Sequence, residues 1–76
     1  AHLDVPISDL HDAISAEDFL QIAELAHLMK GGFYLLKNDS LADLCTELEE
    51  AADRKTISFC LQLALRLEDA VSDLSS

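Results

Sequence analysis

Residues 19–36 read FLQIAELAHLMKGGFYLL, and this stretch decides both the fold class and the position of a candidate site. It contains no proline, and its apolar residues recur every three or four positions, which predicts an amphipathic helix. The predicted core stripe consists of Ile22, Leu25, Met29, Phe33 and Leu36. The opposite face should be charged and solvated, yet it is mostly small or apolar around the imidazole of His27. We therefore expect another molecule to dock on that face.

Three residues on this face form a candidate reaction centre. A nucleophilic histidine must be exposed, mostly neutral, and close to a cation that balances incoming negative charge. His27 is followed three residues later by Lys30, within reach of an anion held on the imidazole, and four residues later by Gly31, whose missing side chain leaves the ring accessible. We expect Gly32, which points nearer the core, to permit close helix packing. The face also carries Leu20, Ala23, Glu24 and Tyr34, which we predict form a docking rim.

Turn and cap residues divide the rest of the chain into three further helices. Pro6 suits the start of a short first helix, which carries Ile7, Leu10 and Ile14 at helical spacing. Residues 15–18, Ser-Ala-Glu-Asp, predict a serine cap followed by first-turn acids for the second helix. Residues 38–40, Asn-Asp-Ser, predict the break before the third helix. We expect Thr56 to cap the fourth helix.

The third and fourth helices complete the predicted bundle. The third has a core stripe of Leu41, Leu44, Cys45 and Leu48, and we expect its acidic run, Glu47, Glu49, Glu50 and Asp53, to be solvated. The fourth, about residues 57–74, has a main stripe of Ile57, Cys60, Leu61, Ala64, Leu67, Val71 and Leu74, with Phe59, Leu63 and Leu65 besides. Short connections imply antiparallel neighbours. The prediction is an all-α, small antiparallel up-down four-helix bundle with a short first helix, forming one domain over residues 1–76.

Composition excludes several classes of partner. The formal charge is −10, so the chain lacks the basic footprint of a nucleic-acid binder and the polybasic patch of a protein held to anionic lipid. The acids concentrate on the third helix and the helix ends, which leaves Glu24 as the only expected counter-charge near His27. We expect Cys45 and Cys60 to be buried, reduced thiols, which favours a reducing compartment. His2 and His11 show no metal-ligand spacing and are expected on the surface.

Residues 26–33, AHLMKGGF, resemble the active-site segment of histidine-containing phosphotransfer (HPt) domains, whose pattern is H-x-x-K-G. Residues 41–49, LADLCTELE, resemble the helix that follows in that family, and the similarity extends over about residues 15–74. The resemblance implies that His27 is phosphorylated by a receiver-domain phospho-aspartate and passes the phosphoryl group to another receiver. It also implies that Lys30 steadies the phosphoryl oxygens and that Gly31 gives clearance.

The same resemblance sets expectations for cofactors, partners and setting. No cofactor or metal is expected on this chain, because the Mg²⁺ of such relays is bound by the receiver. The expected partners are receiver domains of a hybrid sensor kinase, a response regulator or both. The chain lacks the length and the glycine-rich motifs needed to phosphorylate itself, so no autokinase activity is expected. The expected location is cytoplasmic, and the domain could be one module of a membrane sensor kinase.

Three features depart from the family pattern, and one alternative stays open. Residues 36–38, Leu-Lys-Asn, stand where the family often has a glycine near the helix end. Tyr34 is bulkier than usual and would narrow the docking surface. The first helix is short, so the bundle is either truncated or completed by a second copy through the apolar fourth helix. The alternative function is a helical interaction or dimerisation module in which His27 carries no chemistry.

Overall fold

The computed structural model describes residues 5–75 of the protein. This part of the chain contains four helices and no strand, with helix bounds α1 (Ile7–Ser15), α2 (Phe19–Leu35), α3 (Asp39–Asp53) and α4 (Ile57–Ser75). α1 packs against α2 and α4, and α3 packs against the same two helices from the other side. Because three residues connect each consecutive pair, neighbouring helices run antiparallel. The predicted all-α up-down bundle with a short first helix is confirmed.

Side-chain caps fix the starts of α2 and α3. The carboxylate of Asp18 accepts a hydrogen bond from the backbone N–H of Gln21 at 3.2 Å, and the side-chain oxygen of Asn38 accepts one from the N–H of Leu41 at the same distance. The predicted break at residues 38–40 is thus confirmed. The prediction that Ser15 caps α2 is wrong, because Ser15 is the last residue of α1. The acid at position 18 is the cap itself, and no acidic residue lies in the first turn of α2.

All three connections use the same left-handed turn without glycine. Glu17, Lys37 and Lys55 have φ values of 52°, 57° and 58°. After α2, the N–H of Lys37 donates to the carbonyl of Tyr34 at 3.0 Å, and the N–H of Asn38 donates to that of Phe33 at 2.9 Å. This pair of bonds is the Schellman motif, which satisfies carbonyls left open at a helix end. The missing family glycine therefore does not prevent α2 from ending, because Lys37 adopts the left-handed conformation itself.

The core lies between the helices and is entirely apolar over the described residues. Its members are Leu10, Ala13, Ile14, Ile22, Leu25, Ala26, Met29, Phe33, Leu41, Ala42, Cys45, Leu48, Ala51, Ala52, Cys60, Leu63, Ala64 and Leu67. Most predicted core positions are confirmed, but the assignments of Leu36, Leu61 and Leu74 are wrong. Each of these is about half exposed. Leu36 lies beyond the last turn of α2, as its C-cap residue.

The error in α4 concerns which side of the helix faces the core. The buried residues Cys60, Leu63, Ala64 and Leu67 follow the spacing i, i+3, i+4, i+7, which defines one helical face. Leu61 lies about 100° from Cys60 around the axis and faces outward. With every position from 63 to 65 apolar, periodicity alone could not choose between two possible stripes. Packing against α1 and α3 selects the stripe that contains Leu63.

Candidate functional site

The core face of α2 fixes the direction in which His27 points. Ile22, Leu25, Ala26, Met29 and Phe33 are buried. His27 therefore projects outward, and its side chain keeps 76% of its exposure. The imidazole sits in the middle of a 17-residue helix, where the backbone is held rigidly from both sides. The prediction that His27 is exposed is thus confirmed.

Glu49 of α3 brings His27 and Lys30 into one cluster. Lys30 Nζ lies 2.7 Å from Glu49 Oε1, and His27 Nδ1 lies 3.7 Å from Glu49 Oε2. The two carboxylate oxygens of Glu49 therefore face two different side chains, the ammonium group of Lys30 and the imidazole of His27. The first contact is a short ion pair, while the second is too long for a hydrogen bond.

The pair between Lys30 and Glu49 is partly shielded from water. The side chains of Lys30 and Glu49 are 23% and 27% exposed, so both charges are partly desolvated. Glu49 Oε1 itself is inaccessible to solvent, and the approach of Lys30 Nζ lacks the alignment of a regular hydrogen bond. Contact with the Glu49 side chain raises the pKa of Lys30, although desolvation acts in the opposite direction. Lys30 is therefore fully charged at neutral pH.

A buried thiol lies beneath this ion pair. Cys45 is fully buried on α3, one turn before Glu49. Burial, with a smaller contribution from the negative charge of Glu49, raises the pKa of the Cys45 thiol from its ordinary value of 9.0 to about 12. Burial also raises the pKa of Cys60. Both cysteines are free and buried, as predicted, and are protonated at neutral pH.

The two glycines after His27 leave open space on α2. A Cβ built at Gly31 or at Gly32 meets no atom within 4 Å. The space around Gly31 is open, and its role in leaving clearance at His27 stays a prediction. The prediction that Gly32 permits close helix packing is wrong, because a Cβ at this position meets no atom of another helix within 4 Å among residues 5–75. Each glycine destabilises α2 by about 1 kcal/mol relative to alanine, and the described part of the chain shows no packing contact that requires either of them.

The four predicted docking residues differ in how far their side chains are exposed. Leu20, Glu24 and Tyr34 are exposed and Ala23 is half-buried, so all four reach the surface of α2. Leu20 and Ala23 also line an open groove between α2 and α3, whose other lining residues are three acids and one lysine with two apolar residues: Glu49, Glu50, Asp53, Lys55, Phe19 and Ala52. The expectation that Glu24 is the only carboxylate near His27 is wrong, because Glu49 Oε2 lies 3.7 Å from His27 Nδ1.

Sequence reasoning also missed two apolar residues on the other flank of His27. Leu28 and Leu35 are 69% and 86% exposed, and they lie seven residues apart on α2. Positions seven apart fall on one side of a helix. The exposed surface around His27 therefore has an apolar flank at Leu28 and Leu35 and an acidic flank along the groove.

Glu49 is the functional candidate that the sequence interpretation placed in the solvated acidic run of the third helix. That interpretation is wrong for Glu49, because its carboxylate faces α2 rather than bulk water. A signal for this position was available. His27 lies 11 residues before Asn38 and Glu49 lies 11 residues after it. In an antiparallel helix pair, residues equally distant from the turn lie at the same height.

The remaining histidines are separate from this cluster. His11 Nε2 lies 3.0 Å from Glu68 Oε2, which joins α1 to α4 on the partly exposed surface. The prediction for His2 lies outside the described residues. Within residues 5–75, no group of three or more His, Cys, Asp and Glu side chains could hold a metal ion. In the same part of the chain, no helix is both long and apolar enough to cross a membrane.

The fold and the site together define a helical bundle domain that presents one exposed histidine beside a paired lysine. The family model of the Hpt domain matches residues 2–76. The chain therefore belongs to the Hpt domain family, the histidine phosphotransfer domains of two-component phosphorelays, and the resemblance seen in residues 26–33 is confirmed. Hpt domains interact with receiver domains. Comparison with curated proteins and with solved structures gives no significant match.

Proposed function

We propose that this protein is a phosphorelay carrier that accepts a phosphoryl group on His27 from a receiver-domain phospho-aspartate and passes it to another receiver. The observation that carries this proposal is the position of His27, exposed on α2 with Nδ1 directed toward Glu49. A carboxylate near Nδ1 favours the tautomer that bears its proton there. Nε2 then keeps its lone pair and is directed away from the carboxylate, so it is the proposed nucleophile.

The transfer step requires little of the carrier beyond position and charge. The Nε2 lone pair attacks the phosphorus of the aspartyl phosphate, the N–P bond forms, and the receiver's carboxylate leaves with the electrons of the broken O–P bond. Phosphoryl transfer depends mainly on alignment and on neutralisation of oxygen charge. Lys30 is proposed to neutralise the phosphoryl oxygens, and Gly31 to leave space for the incoming receiver. Mg²⁺ is proposed to be held by the receiver.

The receiver is proposed to dock on the face of α2 that surrounds His27. Leu20, Ala23, Glu24 and Tyr34 form the proposed contact surface. Leu28 and Leu35 extend it, since leucines this exposed lose unfavourable contact with water when a partner covers them. The proposed partners are receiver domains of a hybrid sensor kinase, a response regulator or both. A cytoplasmic location is proposed with them, either free or as a module of a membrane sensor kinase.

The test is transfer of labelled phosphate from a phosphorylated receiver in the presence of Mg²⁺. The native chain should acquire an acid-labile phosphate, and His27→Gln should acquire none. His27 is exposed, so this substitution leaves the core intact. His11→Gln is the matched control, because it removes a partly exposed histidine of α1 that lies apart from the site and should leave labelling unchanged. Undiminished labelling of the His27→Gln chain would refute the assignment.

A second candidate function is supported by α4. Phe59, Leu61, Leu65 and Leu74 are 41–50% exposed on this helix. Such residues favour an interaction or dimerisation module, and a homodimer through α4 is the form we propose for it. Sedimentation of the chain across a concentration series tests this alternative. Self-association that Leu61→Asp abolishes, together with a His27 that accepts no phosphate, would favour it, whereas a dimer that still accepts phosphate would combine both functions.

A further inference from the structure

Lys30 is already paired with Glu49 before any phosphoryl group reaches His27. Lys30 is the cation expected to meet the phosphoryl group, yet its Nζ lies 2.7 Å from Glu49 Oε1. A phosphoryl group brings almost two negative charges and three acceptor oxygens to the imidazole. The carboxylate of Glu49 and the phosphoryl group would then compete for one lysine.

We propose that phosphorylation of His27 makes Lys30 exchange partners, from the carboxylate of Glu49 to the phosphoryl oxygens, while Glu49 turns to the Nδ1–H of the phosphorylated ring. This inference rests on the proposed function, since it concerns the loaded state of the same histidine. Glu49 is thereby assigned as a positioning residue. In the unphosphorylated chain Glu49 holds Lys30 in an ion pair. In the phosphorylated chain its carboxylate would neutralise the positive charge on the imidazole of His27.

The geometry of Glu49 suits both halves of the exchange. Its two oxygens already face two partners, with Oε2 lying 3.7 Å from His27 Nδ1. When Nε2 forms the bond to phosphorus, the imidazole gains a positive charge that it shares with Nδ1–H. A closure of less than 1 Å then converts the long contact into a charge-assisted hydrogen bond. No other atom needs to enter the site.

The position of Lys30 also permits the exchange. Its side chain is 23% exposed and stands three residues after His27 on the same helix, so the two side chains project from adjacent turns. A lysine has a flexible four-carbon stem and three donor hydrogens. It can therefore follow the stronger anion without any movement of α2 or α3.

Exchange and the opposite arrangement, in which Lys30 stays on Glu49, differ in what loss of the lysine does while Glu49 is present. If Lys30 moves to the phosphoryl oxygens, its removal from the native chain shortens the lifetime of phospho-His27. If Lys30 stays on Glu49, its removal leaves that lifetime nearly unchanged. The lysine then affects the lifetime only when Glu49 is absent, because it is released from the carboxylate and can reach the phosphoryl group. The effect of Lys30 in the presence of Glu49 therefore separates the two arrangements.

The experiment is a double-mutant cycle on the lifetime of phospho-His27, with Lys30→Met, Glu49→Gln and the combined variant. His2 and His11 are replaced by Gln in every chain, so phosphoramidate can label His27 alone. After the reagent is removed, loss of phosphate is followed by ³¹P NMR. A lysine on the phosphoryl oxygens slows this loss, because the departing group carries less charge in the loose transition state. Glu47→Gln, on the exposed side of α3, is the matched control and should leave the lifetime unchanged.

We expect Lys30→Met to accelerate loss of phosphate by about threefold in the native background, the size of a typical surface ion pair, and by at least as much in the Glu49→Gln background. No acceleration in the native background, whether or not the Glu49→Gln background shows one, would overturn the exchange. Phosphoramidate labels the imidazole without a receiver, so this result is independent of the receiver assay. A chain in which Lys30→Met shortens the lifetime, but which takes no phosphate from receivers, would refute the proposed function alone.

Discussion

Glu49 Oε1 and Lys30 Nζ lie 2.7 Å apart across the α2–α3 interface, beside the exposed His27. This ion pair joins the two helices that carry the site and sets the charge around the imidazole. A lysine alone would make the surface at His27 attractive to any anion. Paired with Glu49, the charge of Lys30 is balanced until a stronger anion binds.

Glu49→Gln should lower the pKa of Lys30 toward its ordinary value of 10.5. The contact with Glu49 is the main cause of the raised pKa, and the remaining desolvation acts in the lowering direction. The measurement is an NMR titration of the lysine ¹³Cε signals between pH 9 and 12. Glu47→Gln is the control, because Glu47 is exposed on α3 and has no part in this pair. A Lys30 titration that is identical in native and Glu49→Gln chains would contradict the ion pair.

Leu63→Ala should destabilise the protein by about 2–5 kcal/mol, because it removes a fully buried side chain and leaves a cavity. Leu63 is 1% exposed, whereas Leu61, two residues earlier, is 42% exposed. Leu61→Ala should therefore cost less than about 1 kcal/mol. Urea unfolding followed by circular dichroism measures both. Equal losses for the two variants would mean that α4 is rotated relative to this structure.

The stability of the protein should fall as the pH rises above about 9. Burial raises the pKa of Cys45 from 9.0 to about 12 and also raises that of Cys60. Above pH 9 the unfolded thiols lose protons that the folded ones retain, so the unfolded state binds fewer protons and the free energy of unfolding decreases. This contribution is fully present below pH 9 and is lost progressively toward pH 12.

Urea midpoints measured at pH 8, 9, 10 and 10.5 test this dependence. The decline should be shallower in the Cys45→Ala variant, which keeps only one buried thiol. In parallel, the native thiols should react slowly with an aromatic disulfide reagent at pH 8, and rapidly once the chain is unfolded. A midpoint that stays constant up to pH 10.5, or rapid labelling of the folded chain, would show that the thiols are exposed.

Gly31→Ala and Gly32→Ala should each stabilise the protein by about 1 kcal/mol, because alanine is the better helix former and a Cβ at either position meets no atom within 4 Å. Their effects on transfer should differ. A methyl group at Gly31 stands on the face of His27 and should slow phosphorylation by a receiver, whereas one at Gly32 should have little effect. Thermal unfolding and receiver labelling measure the two effects. If Gly31→Ala neither stabilises nor slows transfer, its assigned clearance role is wrong.

The helix pattern could be predicted from sequence because apolar residues recur at helical spacing along each helix and each break has turn or cap residues. Asn38 shows this well, since its amide side chain prefers the N-cap position that it occupies. The stripe of α4 could not be predicted correctly, because its apolar residues cover more than one face. Leu63 rather than Leu61 is buried because α1 and α3 pack against the face of α4 that carries Leu63.

The part of the candidate site that lies on α2 could be predicted from sequence, whereas the residue from α3 could not be predicted from a local pattern. His27, Lys30 and Gly31 lie within five residues, so the spacing of a single helix places them on or near one face. Glu49 comes from another helix, and its contact with Lys30 depends on the register between α2 and α3. The local pattern within either helix contains no information about that register, which only the equal distances of His27 and Glu49 from Asn38 indicate. Judged by its own helix alone, Glu49 is one more acid of a solvated run.

The left-handed turns make a further prediction about stability. Lys55 has a φ of 58°, a conformation that costs a non-glycine residue about 1 kcal/mol and costs glycine nothing. Lys55→Gly should therefore stabilise the protein by up to about 1 kcal/mol. Arg54→Gly is the matched control. Arg54 has right-handed backbone angles, so glycine there only adds freedom to the unfolded chain and should destabilise by about 0.5–1 kcal/mol. Opposite signs in urea unfolding would establish the turn between α3 and α4, and two destabilising substitutions would contradict it.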